Sequence, residues 1–286
     1  MVNPLRIGTR GSPLALVQAR LVAAALRECC GIETEIVPIA TSGDAIQDRP
    51  LAEVGGKALW TKELDLALVE GRTDLSVHSM KDVETVRPES LVIAAMLERA
   101  DARDRLIGAA SIEALPQGAR VGTSSPRRAA QLLARRPDLH TLSIRGNVQT
   151  RLAKVARGEI DATLLAAAGL DRLGLEDGKP LDLLPAPAQG AIGIEVLADC
   201  GDLRALLEAI DHKPTHDAVD CERAFLAVLG GDCHSAVAAL ATGGVVRAEI
   251  LSADGSEVRA GEGAPAALAR QLLAAASPAL RAMFGR

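Results

Sequence analysis

The chain has 286 residues, 48% apolar and 24% charged, the composition of a globular protein long enough to bury about three-quarters of its unfolded surface without covalent staples. Aromatics are nearly absent, with two Phe, one Trp and no Tyr, and the net charge is −5; this argues against a nucleic-acid binder built on stacking platforms or wholesale phosphate contact. No apolar run is long enough for a membrane helix, the N-terminus lacks a secretory pattern, and five sparse cysteines read as reduced thiols, so a cytoplasmic protein is expected.

In chain order, Leu5–Ile7 reads as a strand, and Ser12-Pro13 opens a helix to about Glu28, with Ser12 as N-cap and Pro13 at the first helical position. Glu35–Ala40 is a strand, followed by a Gly-rich loop over 41–56. A helix near Thr61–Glu70 leads into strands at Leu75–His78 and Leu91–Leu97. This alternation predicts a largely parallel sheet with helices on both faces. After a charged stretch, Glu98–Arg105, the pattern restarts: strand Arg120–Thr123, helix Pro126–Arg135, strand Thr141–Ile144, helix Val148–Arg157, strand Thr163–Ala166. The restart carries an echo, because Ile7-Gly8-Thr9-Arg10-Gly11-Ser12-Pro13 resembles Val121-Gly122-Thr123-Ser124-Ser125-Pro126. Two similar α/β domains facing each other across a cleft are expected. Beyond a Pro-rich stretch, Ala191–Val196 is a strand that returns to the first sheet. From about Thr215 come one helix, strands Ser235–Thr242 and Val245–Leu251, and an Ala-rich helix, read as a small α+β domain. The expected domains are 1–98 with 191–212, 99–190, and 213–286.

Arginine outnumbers lysine by 26 to 6, and it clusters: between Arg120 and Arg157 lie eight Arg and Lys154 against Asp138 alone, a balance of +8 inside a background of −13. Several of these arginines flank helix starts (Arg127, Arg128, Arg145), where free N–H groups and forked donors favour carboxylates or phosphates. Arg135, Arg136 and Arg157, near helix ends, read as a solvated face. A second constellation is His78-Ser79-Met80-Lys81-Asp82 at the end of a strand, the edge where ligands gather in open α/β sheets. Lys81 and Asp82 supply an ammonium for an anionic substrate and a carboxylate for proton transfer or cation stabilisation; His78 reads as a hydrogen-bonded core residue. The third is Gly230-Gly231-Asp232-Cys233-His234, a thiol on a Gly-rich turn. His212, His216 and Cys221 do not complete a zinc pattern, so no metal is expected. On charge alone, a non-catalytic two-lobed anion-binding protein is the alternative to an enzyme.

The segments Arg6–Leu16, Val54-Gly55-Gly56-Lys57, Val77–Asp82, Gly122–Ser125 with Arg127-Arg128, Arg145-Gly146-Asn147 with Arg151, Leu165–Leu170, Gln189-Gly190-Ala191 and Cys233 together resemble the hydroxymethylbilane synthase (porphobilinogen deaminase) family, in order and spacing, over residues 5–240. The resemblance implies two periplasmic-binding-protein-like α/β domains plus the small C-terminal one, and a dipyrromethane cofactor joined by a thioether to Cys233. Porphobilinogen units would be added stepwise with loss of ammonia, and hydroxymethylbilane released by hydrolysis. It implies Asp82 and Lys81 as catalytic residues, and Arg10, Ser12, Gln18, Ser79, Lys81, Thr123, Ser124, Ser125, Arg127, Arg128, Arg145, Gly146, Arg151, Arg172 and Gln189 as binding residues for cofactor, chain and substrate. Lys57 and Trp60 would belong to a lid, and the protein would act as a monomer. Four positions depart from the family pattern: Glu53 stands where a basic residue is frequent, Glu84 and Ala236 where proline is common, and Ala188 where glycine often precedes Gln-Gly-Ala. Trp60 replaces a more usual Phe.

Overall fold

The computed structural model describes residues 4–42, 61–230 and 235–284, and they fall into two compact units. One holds residues 4–42, 61–100 and 190–217; the other holds 101–189, 218–230 and 235–284. Most of the Gly-rich loop, with Glu53, Lys57 and Trp60, and also Cys233, lies outside the described residues.

In the first unit, β1 (Leu5–Arg10) runs into α1 (Pro13–Cys30), whose N-cap Ser12 accepts the Ala15 N–H at 3.3 Å. Gly31, at φ 66°, ends the helix in the left-handed conformation that glycine adopts without a Cβ penalty. Ala15, Gln18, Ala19, Val22 and Leu26 are buried, the three-to-four spacing of an amphipathic helix. Ala19, Val22 and Leu26 pack on Ile7, Leu75, Val77 and Ile194 of the sheet, each large apolar side chain contributing about 1.5–3 kcal/mol of burial. With β2 (Thr34–Ile39), β3 (Leu75–Ser79), β4 (Leu91–Met96) and β10 (Ile192–Leu197), the sheet order is β2-β1-β3-β10-β4. β1 pairs in parallel with β2 and β3, whereas β10 is antiparallel to both β3 and β4. The strand read at Ala191–Val196 thus does return to the first sheet. α2 (Lys62–Val69) buries Leu64, Ala67 and Leu68.

The second unit repeats this plan. β5 (Asp104–Ile107), β6 (Arg120–Gly122), β7 (His140–Leu142), β8 (Ala162–Ala166) and β9 (Lys179–Pro180) form a sheet of order β7-β6-β8-β5-β9. Here β6 is parallel to β7 and β8, and β5 is antiparallel to β8. The echo in sequence is therefore an echo in topology: a central strand, parallel neighbours on both sides, then one reversed strand. Helices α3 (Pro126–Arg135), α4 (Val148–Ala156) and α5 (Ala167–Arg172) join these strands. β5 overlaps the charged stretch that the sequence presents as a boundary. It is a strand because the Asp104 charge is met by partners that lie far along the chain.

A third sheet, β11 (Val237–Thr242), β12 (Val245–Leu251) and β13 (Val258–Gly263), is an antiparallel meander. One face carries Val237, Ala239, Val246, Ala248 and Ile250 against Phe225 and Leu229 of α6 (Lys213–Leu229) and Leu268 and Leu272 of α7 (Pro265–Ala275). β13 shows no apolar alternation, which is why it escapes a sequence reading. Its Gly261 lets Leu268 sit where a Cβ would already be 3.0 Å from Cδ1. Ala236, at a frequent proline position, is buried with Ala130 and Leu251.

Candidate functional site

The carboxyl ends of β1 and β3 border a pocket lined by Arg10, Ser12, Leu14, Ala15, Gln18, Thr61, Val77, His78, Ser79, Asp82 and Val83. β1 delivers Arg10, the α1 cap delivers Ser12, and the single 3₁₀ turn Met80–Asp82 after β3 delivers Asp82. That turn is pinned from below. The Met80 N–H donates to Ala191 O at 3.1 Å, and the Met80 side chain crosses β10 over Gly193, where a Cβ would lie 2.1 Å from Sδ. Gly193 is the residue that makes room for the turn. Gln18, 2% exposed, meets the Ser79 hydroxyl with Nε2 at 2.8 Å and so fixes its direction. Lys81 is half-buried on the same turn.

The donor set divides by sign. Arg10 and the Ser12 and Ser79 hydroxyls, at the positive end of the α1 dipole, suit carboxylates; Asp82 suits N–H donors or a developing cation.

Behind the pocket is a buried ionic network that the sequence did not reveal. Glu195 of β10 is fully buried, with His78 Nε2 3.1 Å from its Oε2, close but off the line of a hydrogen bond, and Arg87 Nε donating to Oε1 at 2.8 Å. Burial pushes Glu195 up, but the contacts and charges of His78 and Arg87 outweigh it and hold the carboxyl at about 2. Burial raises the neighbouring Asp65, assisted by the Glu195 charge and opposed by Arg87. Glu84, at the frequent proline position, accepts from Thr61 Oγ1 at 3.0 Å and Arg87 Nη1 at 2.6 Å.

In the second unit, Thr123, Ser124 and Ser125 follow β6. Thr123 Oγ1 accepts the Ser125 N–H at 3.1 Å, Ser124 Oγ donates to Ile144 O, and Ser125 caps α3 by accepting the Arg128 N–H at 3.4 Å. The sequence assigns Arg127 and Arg128 to carboxylate binding; the carboxylate they hold here is Asp104 of β5. Arg127 Nη2 donates to Oδ2 at 2.9 Å and Arg128 Nη2 to Oδ1 at 2.7 Å, with side chains only 3% and 7% exposed. Their other donors go to Leu184 O, Gln131 Oε1 and Leu164 O. Gln189 Nε2 completes the cage on Asp104 Oδ1 at 2.9 Å. Burial pushes Asp104 up, yet the two guanidinium charges and their hydrogen bonds drive it well below the usual carboxylate range.

Arg145, Gly146 and Arg151 gather at the start of α4. Gly146 has φ 104°, its carbonyl accepts from Arg151 Nε at 3.1 Å, and Asn147 caps the helix. Arg172 closes α5, half-buried, and burial pulls it down to about 10. Ala188, at the frequent glycine position, takes φ 60°, and its N–H is held by Glu222 Oε2 at 2.5 Å. Among the described residues no cluster of His, Cys, Asp or Glu could hold a metal ion, and no helix is long and apolar enough to cross a membrane.

Residues 5–205 match the family model described as "porphobilinogen deaminase, dipyromethane cofactor binding domain". The chain belongs to the porphobilinogen deaminase family. The porphobilinogen deaminase of Sphingopyxis alaskensis is 59% identical, covering 99% of this chain and 97% of that one. The Paracoccus denitrificans protein of the same name is 50% identical, covering 91% and 88%. Among solved structures, immunogenic lipoprotein A of Vibrio vulnificus aligns at TM-score 0.46 and 12% identity, over 77% of this chain and 99% of that chain. A Burkholderia cenocepacia nutrient binding protein bound to methionine aligns at 0.45 and 17%, over 72% and 91%. Family membership makes the chain an enzyme, a transferase of tetrapyrrole synthesis with a domain for a dipyrromethane cofactor. The donor set of the first unit fits such a group: a cation and hydroxyls for its carboxylates, and Asp82 for its pyrrole N–H groups.

Proposed function

We propose that this chain acts as a hydroxymethylbilane synthase in the cytoplasm, as a monomer, joining four porphobilinogen molecules with loss of ammonia and releasing hydroxymethylbilane. The observation that carries the reading is the pocket in which one carboxylate, Asp82, shares walls with Arg10, Ser12 and Ser79, in a chain of this family. The dipyrromethane cofactor, attached through Cys233 in a C-terminal domain 213–286, supplies the nucleophilic pyrrole carbon on which the chain grows.

Asp82 faces the pyrrole N–H groups. When ammonia leaves the aminomethyl group of porphobilinogen, positive charge spreads over that ring, and a fixed carboxylate stabilises it. Asp82 then also accepts or relays the proton whose loss, after the new carbon–carbon bond has formed, restores aromaticity. Arg10, Ser12, Gln18, Ser79 and Lys81 hold carboxylates or the groups that orient them. Thr123, Ser124, Ser125, Arg145, Gly146, Arg151 and Arg172 do the same from the second unit. Arg127 and Arg128, caged with Gln189 around Asp104, add positive charge behind these donors. The Gly-rich loop over 41–56 acts as a lid, with Lys57 and Trp60 directly following it.

The test is the intact mass of the purified protein with peptide mapping at Cys233, followed by incubation with porphobilinogen and detection of the tetrapyrrole. The reading expects a dipyrrole addition at Cys233, abolished in Cys233→Ser, and product formation that falls at least about a hundredfold in Asp82→Asn. Product formation by Asp82→Asn at the parent rate would remove Asp82 from its role.

A further inference from the structure

Arg87 touches four residues at once. Its guanidinium, 9% exposed, forks onto Glu195 of β10 with Nε at 2.8 Å from Oε1 and Nη2 at 2.9 Å from Oε2. Nη2 also donates to Asp65 of α2 at 2.5 Å. Nη1 donates to Glu84, two residues beyond Asp82, at 2.6 Å, and to Thr61 Oγ1 at the start of α2 at 3.2 Å. Arg87 does not line the pocket, but two residues held through it do. Thr61 lines one wall and donates to Glu84; His78 lines another and lies against Glu195. In sequence, Asp82 sits between His78 and Glu84, so both ends of its turn are tied to one side chain.

We infer that Arg87 is a positioning residue for the reaction: through Glu84–Thr61 and Glu195–His78 it holds the turn that presents Asp82. The inference rests on the reading of Asp82 as the catalytic carboxylate. Its physical basis is charge crowding. Glu195, Asp65 and Glu84 are 0%, 17% and 25% exposed and share this single guanidinium. Without it, three carboxylates at short range repel in a low-dielectric setting, and Glu84, the most exposed, swings outward and takes the turn with it. Lysine is a point charge on a flexible stem and cannot fork onto Glu195 while reaching Asp65 and Glu84.

The experiment compares the parent holoenzyme with Arg87→Met, Arg87→Lys, Glu84→Gln and Asp82→Asn. It reads kcat per cofactor-bearing molecule (holo fraction from intact mass), KM for porphobilinogen, and the thermal midpoint. A displacement of about 1 Å at a reacting group costs up to about a hundredfold, so Arg87→Met is expected to lower kcat between about tenfold and a hundredfold with KM within about twofold. Arg87→Lys is expected to recover the thermal midpoint more than kcat. Glu84→Gln, which keeps the fold even where Arg87→Met does not, is expected to lower kcat by about threefold or more with an unchanged midpoint. Arg87→Met and Glu84→Gln that lower only the midpoint, with kcat per holo molecule at the parent value, would overturn the inference and leave a structural ion cluster. A raised KM at constant kcat would overturn it in favour of direct substrate contact. Failure of the Asp82 reading shows separately, as parent-like kcat in Asp82→Asn.

Discussion

The reversed strand of the first sheet, β10, buries Glu195; the reversed strand of the second, β5, buries Asp104. The two sheets have matching strand orders and bury an acid on the equivalent strand, Glu195 opposite Ser76 and Asp104 opposite Ala166, but the charge around that acid has opposite sign. Glu195 shares one guanidinium with Asp65 and Glu84. Asp104 stands alone between Arg127 and Arg128. The first unit therefore carries a surplus of negative charge behind Asp82, and the second a surplus of positive charge behind the Thr123–Ser125 turn. One plan thus yields a unit that sets a carboxylate for N–H groups and developing cations beside its own carboxylate donors, and a second unit with extra positive charge. The proposed reaction, which builds a cation on a polycarboxylate, needs both.

Removing each acid in turn should have unequal effects on stability. Asp104→Asn takes from two adjacent buried guanidinium groups the carboxylate they share, and breaking a buried pair in this way costs about 3–5 kcal/mol. Glu195→Gln leaves Arg87 with two other carboxylates, so a smaller loss of about 1–3 kcal/mol is expected. Urea unfolding of both variants measures the difference. Equal losses would mean that the surplus charges do not matter to stability.

The two acids also make stability depend on pH. Both carboxyls have folded pKa values below their unfolded ones, so their stabilisation is complete above the unfolded value and lost as pH falls through the folded value. For Glu195 that window runs from the ordinary 4.5 down to about 2; for Asp104 it begins at 3.8 and extends lower. The urea midpoint should fall with pH across this range, and Glu195→Gln should flatten its upper part. A midpoint constant from pH 5 to about 2.5 would contradict these assignments.

The smallest effect concerns the caps. Ser12 and Ser125 occupy equivalent positions and accept from Ala15 N and Arg128 N at 3.3 and 3.4 Å. Each Ser→Ala change should cost about 1 kcal/mol by thermal unfolding, alike in the two units. A large asymmetry would show that one serine is held by something other than its helix.

Helix starts were legible because their cause is local: Ser-Pro at Ser12 and Ser125 names both the N-cap and the first helical turn within two residues. The strand of Asp104 was not legible, since Asp101-Ala102-Arg103-Asp104-Arg105 reads as a charged surface. Its partners, Arg127 and Arg128, lie 23 and 24 residues away. In the same way, the +8 cluster suggested arginines turned toward a ligand, and two of them are instead committed to an internal acid.

By itself, then, the sequence determined the α/β alternation, the doubled plan, the ends of its main helices and the family, because caps, periodicity and ordered motifs are properties of neighbouring residues. Only the tertiary structure decided which charges meet. Desolvation and Coulomb energy depend on distance in space, and only folding brings Arg87 to Glu195, 108 positions away along the chain.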